Sequence, residues 1–313
     1  MGDKKLVYAE MILLLVAFFW GINPPIMKVG LAYLPPLPYN ALRMLIAMAV
    51  AWVALVWSKS YRPFGRADFR QVFLLSLFGF FVFQLFFTLG VERTTAGNAS
   101  LLLGLLPVSV AIINKVCKIE EITLPVTLGI LLSLGGVVLI VVGSGKELSL
   151  ASAHVTGALF LLGAQTGYGY YTVFSRGLLT RYSTYQITAY IITITTVLFL
   201  LVSLPAMAAV DWRAVPAAGY CSAIYSGVFA LTVGNFLWIW GVGKLGSPKA
   251  ALYNNLSPVF AITTGYLFLH EAFGWLQFAG AVAITAGLYI TRTKGAFLRR
   301  SMRRGREKET INR

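Results

Sequence analysis

One stretch of this chain is written twice. Residues Gly90 to Ile140 recur without a gap at Gly241 to Thr291, an offset of 151. Under that offset Gly90, Val91, Ala99, Leu101, Leu105, Pro107, Val108, Glu120, Gly129 and Gly136 become Gly241, Val242, Ala250, Leu252, Leu256, Pro258, Val259, Glu271, Gly280 and Gly287, while Arg93 becomes Lys244. Apolar helices match by chance at leucine and alanine, but chance rarely places a proline, two glycines and a glutamate in one ungapped register. The chain is therefore read as a duplicated unit, and a duplication constrains the fold more than any single motif. The copies are placed at 8–143 and 155–291, with a basic tail at 292–313.

Both copies are built for a bilayer. Charged residues are 12% and hydrophobic ones 58% of the chain, where a soluble globule carries about 25% charged residues. A hydrocarbon core of about 30 Å takes roughly 20 apolar residues per helix. Breaking at charges, prolines and glycine-polar clusters gives ten spans: Tyr8–Leu31, Pro38–Trp57, Phe69–Gly90, Thr95–Cys117, Leu124–Val142, Val155–Ser175, Tyr185–Pro205, Val215–Trp240, Pro248–Leu269 and Trp275–Ile290. The opening run is too long for a signal peptide and lacks an Ala-x-Ala site. The fold class expected is an all-α polytopic membrane protein.

The positive charge is distributed by side. With the N-terminus inside, Arg93, Lys146 and Arg213 fall outside and Lys28 and Arg43 near the outer ends of their spans; the other 21 of the 26 lysines and arginines lie in inner loops or at the inner ends of spans. Cytoplasmic loops hold such an excess, so both termini are expected in the cytoplasm. The net charge of +15 then reads as topology and adhesion to anionic headgroups, not as a nucleic-acid partner. Five spans per copy is odd, so the second copy is expected upside down relative to the first. Inverted repeats of this kind build many secondary transporters, with the substrate site near midplane where the repeats meet.

Polar side chains inside a bilayer are costly unless they face a partner or a watery cavity. Gln84 and Asn235 are related by the offset of 151. They suit a cavity between the copies, or equally hydrogen-bonded glue between helices. Phe87 and Trp238 obey the same rule one turn further on. The run Trp20-Gly21-Ile22-Asn23-Pro24-Pro25 removes two helix hydrogen bonds and leaves carbonyls without donors, which points to Asn23 as a polar substrate contact, or to a structural kink. Gln165 and Tyr168 lie deep in a span of small and aromatic residues, and Tyr253 and Asn254 precede Pro258. Lys249 could bind a carboxylate or reach the headgroups. Lys28 and Arg43, near the outer ends of their spans, are expected to snorkel to the surface in preference to binding an ion. Glu120 and Glu271 are candidates for a gate or a proton site, or for ending helices.

No catalytic arrangement emerges. His270-Glu271 opens like a zincin motif, but Gly274 stands where the second histidine is required. Cys117 and Cys221 indicate neither a disulfide framework nor a metal site. No enzyme activity, cofactor or metal is expected.

Phe19 to Lys28, the Ala41-Leu42-Arg43 start of the second span, the Ala99–Pro107 and Ala250–Pro258 runs, and His270-Glu271 before a last glycine-bearing helix together resemble the drug/metabolite transporter superfamily, in its ten-helix EamA branch. The resemblance covers Met11 to Ile290. It implies a basket of ten helices, with a cavity formed chiefly by spans one, three, four, six, eight and nine and with spans five and ten peripheral. It also implies export of small metabolites, nearest to the aromatic amino-acid exporters of bacterial inner membranes that also pass methyl viologen. The reading is an inner-membrane exporter of neutral apolar amino acids working by alternating access as a monomer. Trp20, Asn23, Gln84, Gln165, Tyr168, Asn235, Trp238, Tyr253 and Asn254 would bind substrate, and Pro24, Pro25, Pro107 and Pro258 would serve as hinges. The alternatives are an extruder of organic cations and, more distantly, a membrane scaffold using the basic tail.

Overall fold

The computed structural model describes residues 2–118, 124–143, 152–241, 256–271 and 273–293, and every regular element in them is helical. Helix α1 is Gly2–Leu31 and α2 is Pro36–Ser58. The third run is α3 (Arg66–Leu74), a π-helical segment at Leu75–Phe81 and α4 (Val82–Arg93). Then come α5 (Ala96–Leu103), α6 (Leu106–Val116), α7 (Leu124–Gly143), α8 (Ala153–Leu179) and α9 (Thr184–Ala208). Next is α10 (Ala217–Tyr225), leading through a second π-helical segment at Ser226–Val233 into α11, residues 234–241. The last two are α12 (Ser257–Leu269) and α13 (Trp275–Thr293).

Among the described residues, six helical runs are long and apolar enough to cross a membrane: Val7–Leu31, Pro36–Ser58, Arg66–Arg93, Ala96–Val116, Thr184–Ala208 and Ala217–Gly241. Three shorter apolar stretches, Thr127–Ile140, Ser257–Leu269 and Trp275–Gly287, accompany them. Large apolar side chains point outward along these helices, Trp57 being 84% and Phe268 76% exposed. In water such a surface would aggregate; against acyl chains it carries no such penalty. The chain is a multi-pass membrane protein.

The expected spans and the helices agree at most of the described ends, with one clear difference. The run expected at Thr95–Cys117 is broken at Gly104-Leu105, where α5 stops and α6 begins with Pro107 in its first turn. Proline lacks the amide hydrogen and is best accommodated in the first turn of a helix. Pro258 opens α12 in the same way. By contrast α1 runs through Pro24-Pro25 as one helix. Hydroxyls of the neighbouring α10 face it there: Ser222 donates to the Ile26 carbonyl (2.7 Å) and Tyr225 to the Phe19 carbonyl (3.2 Å).

Helix pairing fixes the bundle. The closest packing partners are α7 with α13, α4 with α8, α2 with α9 and α1 with α12; α8 also packs on α6 and on the first π segment. Glycine decides how near some of these helices come. A Cβ on Gly136 would stand 2.6 Å from the Gly280 carbonyl oxygen, and one on Gly280 would stand 2.6 Å from that of Gly136. Carbonyls of a helix cannot swing aside, so Gly136→Leu forces α7 and α13 apart. Without a hydrophobic drive between helices in lipid, that contact is what holds the pair. The substitution should cost about 1–3 kcal/mol and lower the thermal unfolding midpoint in detergent by roughly 5 °C; an unshifted midpoint would contradict the packing.

Polar ties close both ends of the bundle. At one end Glu271 accepts from the amides of Ala96 and Gly97, at 2.9 and 3.3 Å, and Gln277 donates to the Asn98 side chain at 2.9 Å. At the other, Asp68 pairs with Arg181 (2.8 Å) and accepts from the Tyr182 hydroxyl (2.7 Å). That hydrogen bond holds the Tyr182 phenol above its ordinary pKa. Nearby, the Gln186 amide brackets Arg62, accepting from its N–H at 2.9 Å and donating to its carbonyl.

Candidate functional site

Between the helices lies a cavity with about 690 Å³ of empty space, including its open mouth. Its walls come from α1, α2, α4, α5, α6, α8, the second π segment, α11 and α12. Apolar wall is supplied largely by aromatic rings. Phe83 stacks on Phe87 (5.4 Å between centroids) and lies 4.8 Å from the Tyr168 ring, with Trp20 also in the lining. Gln165 and Tyr168 reach the cavity because Gly167 lets α8 press against the first π segment: a Cβ there would be 2.8 Å from the Gly79 carbonyl oxygen.

Of the residues expected to bind substrate, Trp20, Asn23, Gln84, Gln165, Tyr168 and Asn235 all line this cavity. Trp238 does not; its ring packs behind Trp20 at 5.2 Å. Tyr253, Asn254, Lys249 and Glu120 lie outside the described residues. Glu271 is one turn beyond the cavity residue Ser100, on the start of α5. Pro24 and Pro25 lie inside α1, and Pro107 and Pro258 in the first turns of α6 and α12.

The amides are not equivalent. Asn23 accepts from Ser226 (2.6 Å) and donates to the Met27 sulfur (3.4 Å). Asn235 donates to the Leu231 carbonyl (2.6 Å) and accepts from the Tyr168 hydroxyl (3.4 Å). Both therefore spend their polar atoms inside the protein. Gln84 uses only its oxygen, on Arg43, and its Nε2 has no partner; Oε1 of Gln165 has none either. Both residues line the cavity, so a ligand there can bring the missing partners. Trp20 donates its indole N–H to the Ala230 carbonyl at 3.0 Å.

The largest departure from the sequence reading is Arg43. Instead of snorkelling outward it is 1% exposed and forms part of the cavity wall. Its guanidinium donates to the Met27 sulfur (2.9 Å) and to Gln84 Oε1 (3.3 Å), and lies 5.5 Å above the Phe87 ring. The site is thus walled by a second-span residue as well as by the spans expected. Lys28 does stay at the exposed end of α1, donating to the Glu92 carbonyl at 3.1 Å.

The sequence profile of the EamA-like transporter family matches twice, over residues 7–142 and 155–293. The chain belongs to the EamA-like transporter family, within the drug/metabolite transporter superfamily. An uncharacterized transporter of Archaeoglobus fulgidus is 26% identical over 90% of this chain and 98% of its own length. The transporter YvbV of Bacillus subtilis, also uncharacterized, is 28% identical over 90% and 91%. A Streptantibioticus cattleyicolor protein described as a probable terminal-alkyne amino-acid exporter is 28% identical over 99% of both chains. A solved structure titled only as the crystal structure of a protein superposes with a TM-score of 0.66 at 17% identity, covering 91% of this chain and 98% of its own, and shares the fold. The protein is a transporter of small molecules, and the family is not one of enzymes.

Proposed function

We propose that this transporter exports amino acids, preferentially aromatic and other neutral apolar ones, across the bacterial cytoplasmic membrane by alternating access. The carrying observation is the cavity's composition: rings of Trp20, Phe83, Phe87 and Tyr168 to hold an apolar side chain, with unpaired polar atoms on Gln84 and Gln165 for the charged end. The description of the Streptantibioticus relative as a probable amino-acid exporter supports it. One chain encloses the cavity, which suits a monomer.

In this reading the ten helices form two inverted five-helix repeats with both termini cytoplasmic. Several features support the repeat. The two π segments begin at Leu75 and Ser226, related by the sequence offset of 151. The Gly136–Gly280 contact has a counterpart in which Gly287 meets the Gly129 carbonyl, and each contact becomes the other when the copies are exchanged. The pair α1–α12 has its counterpart in α8–α6. Rocking the copies against each other would open the cavity to alternate sides, with the prolines at Pro24-Pro25, Pro107 and Pro258 as hinges and the ties at Glu271 and Asp68 as latches. Extrusion of organic cations is disfavoured by Arg43, whose fixed positive charge repels a cation in the same space.

The test is uptake of radiolabelled tryptophan, phenylalanine, threonine and glutamate into proteoliposomes, with and without a pH gradient. Saturable flux of phenylalanine and tryptophan at least about tenfold above glutamate is expected. Flux of none of them above empty liposomes refutes the proposal.

A further inference from the structure

We infer that Arg43 is the residue that binds the substrate's carboxylate, with Gln84 beside it, so that the cavity selects ligands bearing an anionic group. The inference rests on the cavity being the transport site and deepens the amino-acid reading of it.

An arginine is always charged in proteins, and a charge buried in a bilayer protein is costly unless something answers it. Among the described residues, nothing with a negative charge answers Arg43. Its two hydrogen-bond acceptors are a thioether sulfur and an amide oxygen, its Nε has no partner, and beneath it lies the Phe87 ring. The ion pairs among the described residues are Arg93–Glu92 and Arg181–Asp68, both elsewhere. A guanidinium presents a planar fork of donors that fits a carboxylate with two parallel hydrogen bonds.

Three neighbouring features agree in sign. The hydrogen bond from Arg43 fixes Gln84 with its oxygen toward the guanidinium, since arginine only donates. The unpaired Nε2 of Gln84 is then a second donor for the anion. Helices α6 and α12 both begin at the cavity wall, where Leu106 and Ser257 line it; helix N-termini carry partial positive charge and favour anions. The unpaired acceptor, Gln165 Oε1, comes from α8 and not from this positive cluster, as a substrate ammonium would require.

Calorimetry with the purified protein and matched ligands tests this: phenylalanine, phenylalaninamide, which lacks the carboxylate, and 3-phenylpropionate, which lacks the ammonium. A hydrogen-bonded pair with a charged group is worth roughly 1.5–3 kcal/mol, or about 10- to 150-fold in affinity. Wild-type protein should bind phenylalanine at least about tenfold more tightly than the amide. In Arg43→Gln that ratio should fall to within about threefold of unity through loss of phenylalanine binding, and Arg43→Lys, which keeps the charge but not the fork, should fall between. Should Arg43→Gln fail to fold, Arg43→Lys decides, and a ratio equal to wild type in that variant counts against the guanidinium contact. Equal binding of phenylalanine and its amide by wild-type protein overturns the inference, as does a ratio unchanged in Arg43→Gln or no binding of any carboxylate. Arg43-dependent binding of 3-phenylpropionate without phenylalanine binding upholds the carboxylate contact while removing the amino-acid reading.

Discussion

Gly167→Leu should reduce transport at least about 100-fold while leaving the protein inserted in the membrane. Gly167 is where α8 meets the first π segment, and a Cβ there would lie 2.8 Å from the Gly79 carbonyl oxygen and 3.0 Å from the Phe83 nitrogen. Neither is a flexible side-chain end, so the helix itself must move. It carries Gln165 and Tyr168 on one side of the cavity, and the backbone it pushes carries Phe83 and Gln84 on the other. A displacement of about 1 Å in positioning groups costs on the order of 100-fold in rate. Gly177→Ala on the same helix is the control, because a Cβ at Gly177 meets nothing within 4 Å. Its rate should match wild type. Initial rates per reconstituted protein check both, and a Gly167→Leu rate within about threefold of wild type would show that the α8 contact does not shape the site.

Glu271→Ala should unfold at a midpoint roughly 5–10 °C below wild type, with the response of transport to a pH gradient unchanged. The carboxylate accepts hydrogen bonds from the Ala96 and Gly97 amides at the N-terminus of α5. Removing it strands two part-buried donors, at about 1–3 kcal/mol each, together with its favourable interaction with the helix dipole. For a chain of this size each kcal/mol moves the midpoint by roughly 2–4 °C. Glu271→Gln keeps an acceptor and should lose less. A proton carrier behaves the opposite way: midpoint preserved and pH response abolished. Unfolding followed by intrinsic fluorescence, set beside uptake with and without a gradient, separates the two roles.

How much of this was legible from residues alone differs between the bundle and its contents. The spans could be read because a bilayer demands long apolar runs, and Gln84, Gln165 and Asn235 could be placed in a cavity because amides are costly against lipid. The break at Gly104-Leu105 was foreshadowed by Pro107, but the π segments carry no residue signature. Arg43 departs from the snorkelling usual for a cation near a span end because depth along the helix says nothing of direction around it. A signal was present: Arg43, Ala47, Ala51 and Leu55 recur every four residues, and all four are buried. That spacing marks one packed face of α2 with the arginine in it. The division of labour among the amides was not readable, because whether Asn23 is free depends on Ser226, more than 200 residues away.

The central claim is that substrate passes through this one cavity, and filling it tests that most directly. Leu103 lines the cavity without supplying a polar contact, so Leu103→Trp occupies the space while leaving Arg43, Gln84 and Gln165 chemically intact. Binding of labelled phenylalanine to the purified variant, measured beside its unfolding midpoint, is the measurement. The account predicts a midpoint within a few degrees of wild type and binding weakened at least about 30-fold. A folded Leu103→Trp protein that binds phenylalanine as wild type does would place the substrate somewhere else.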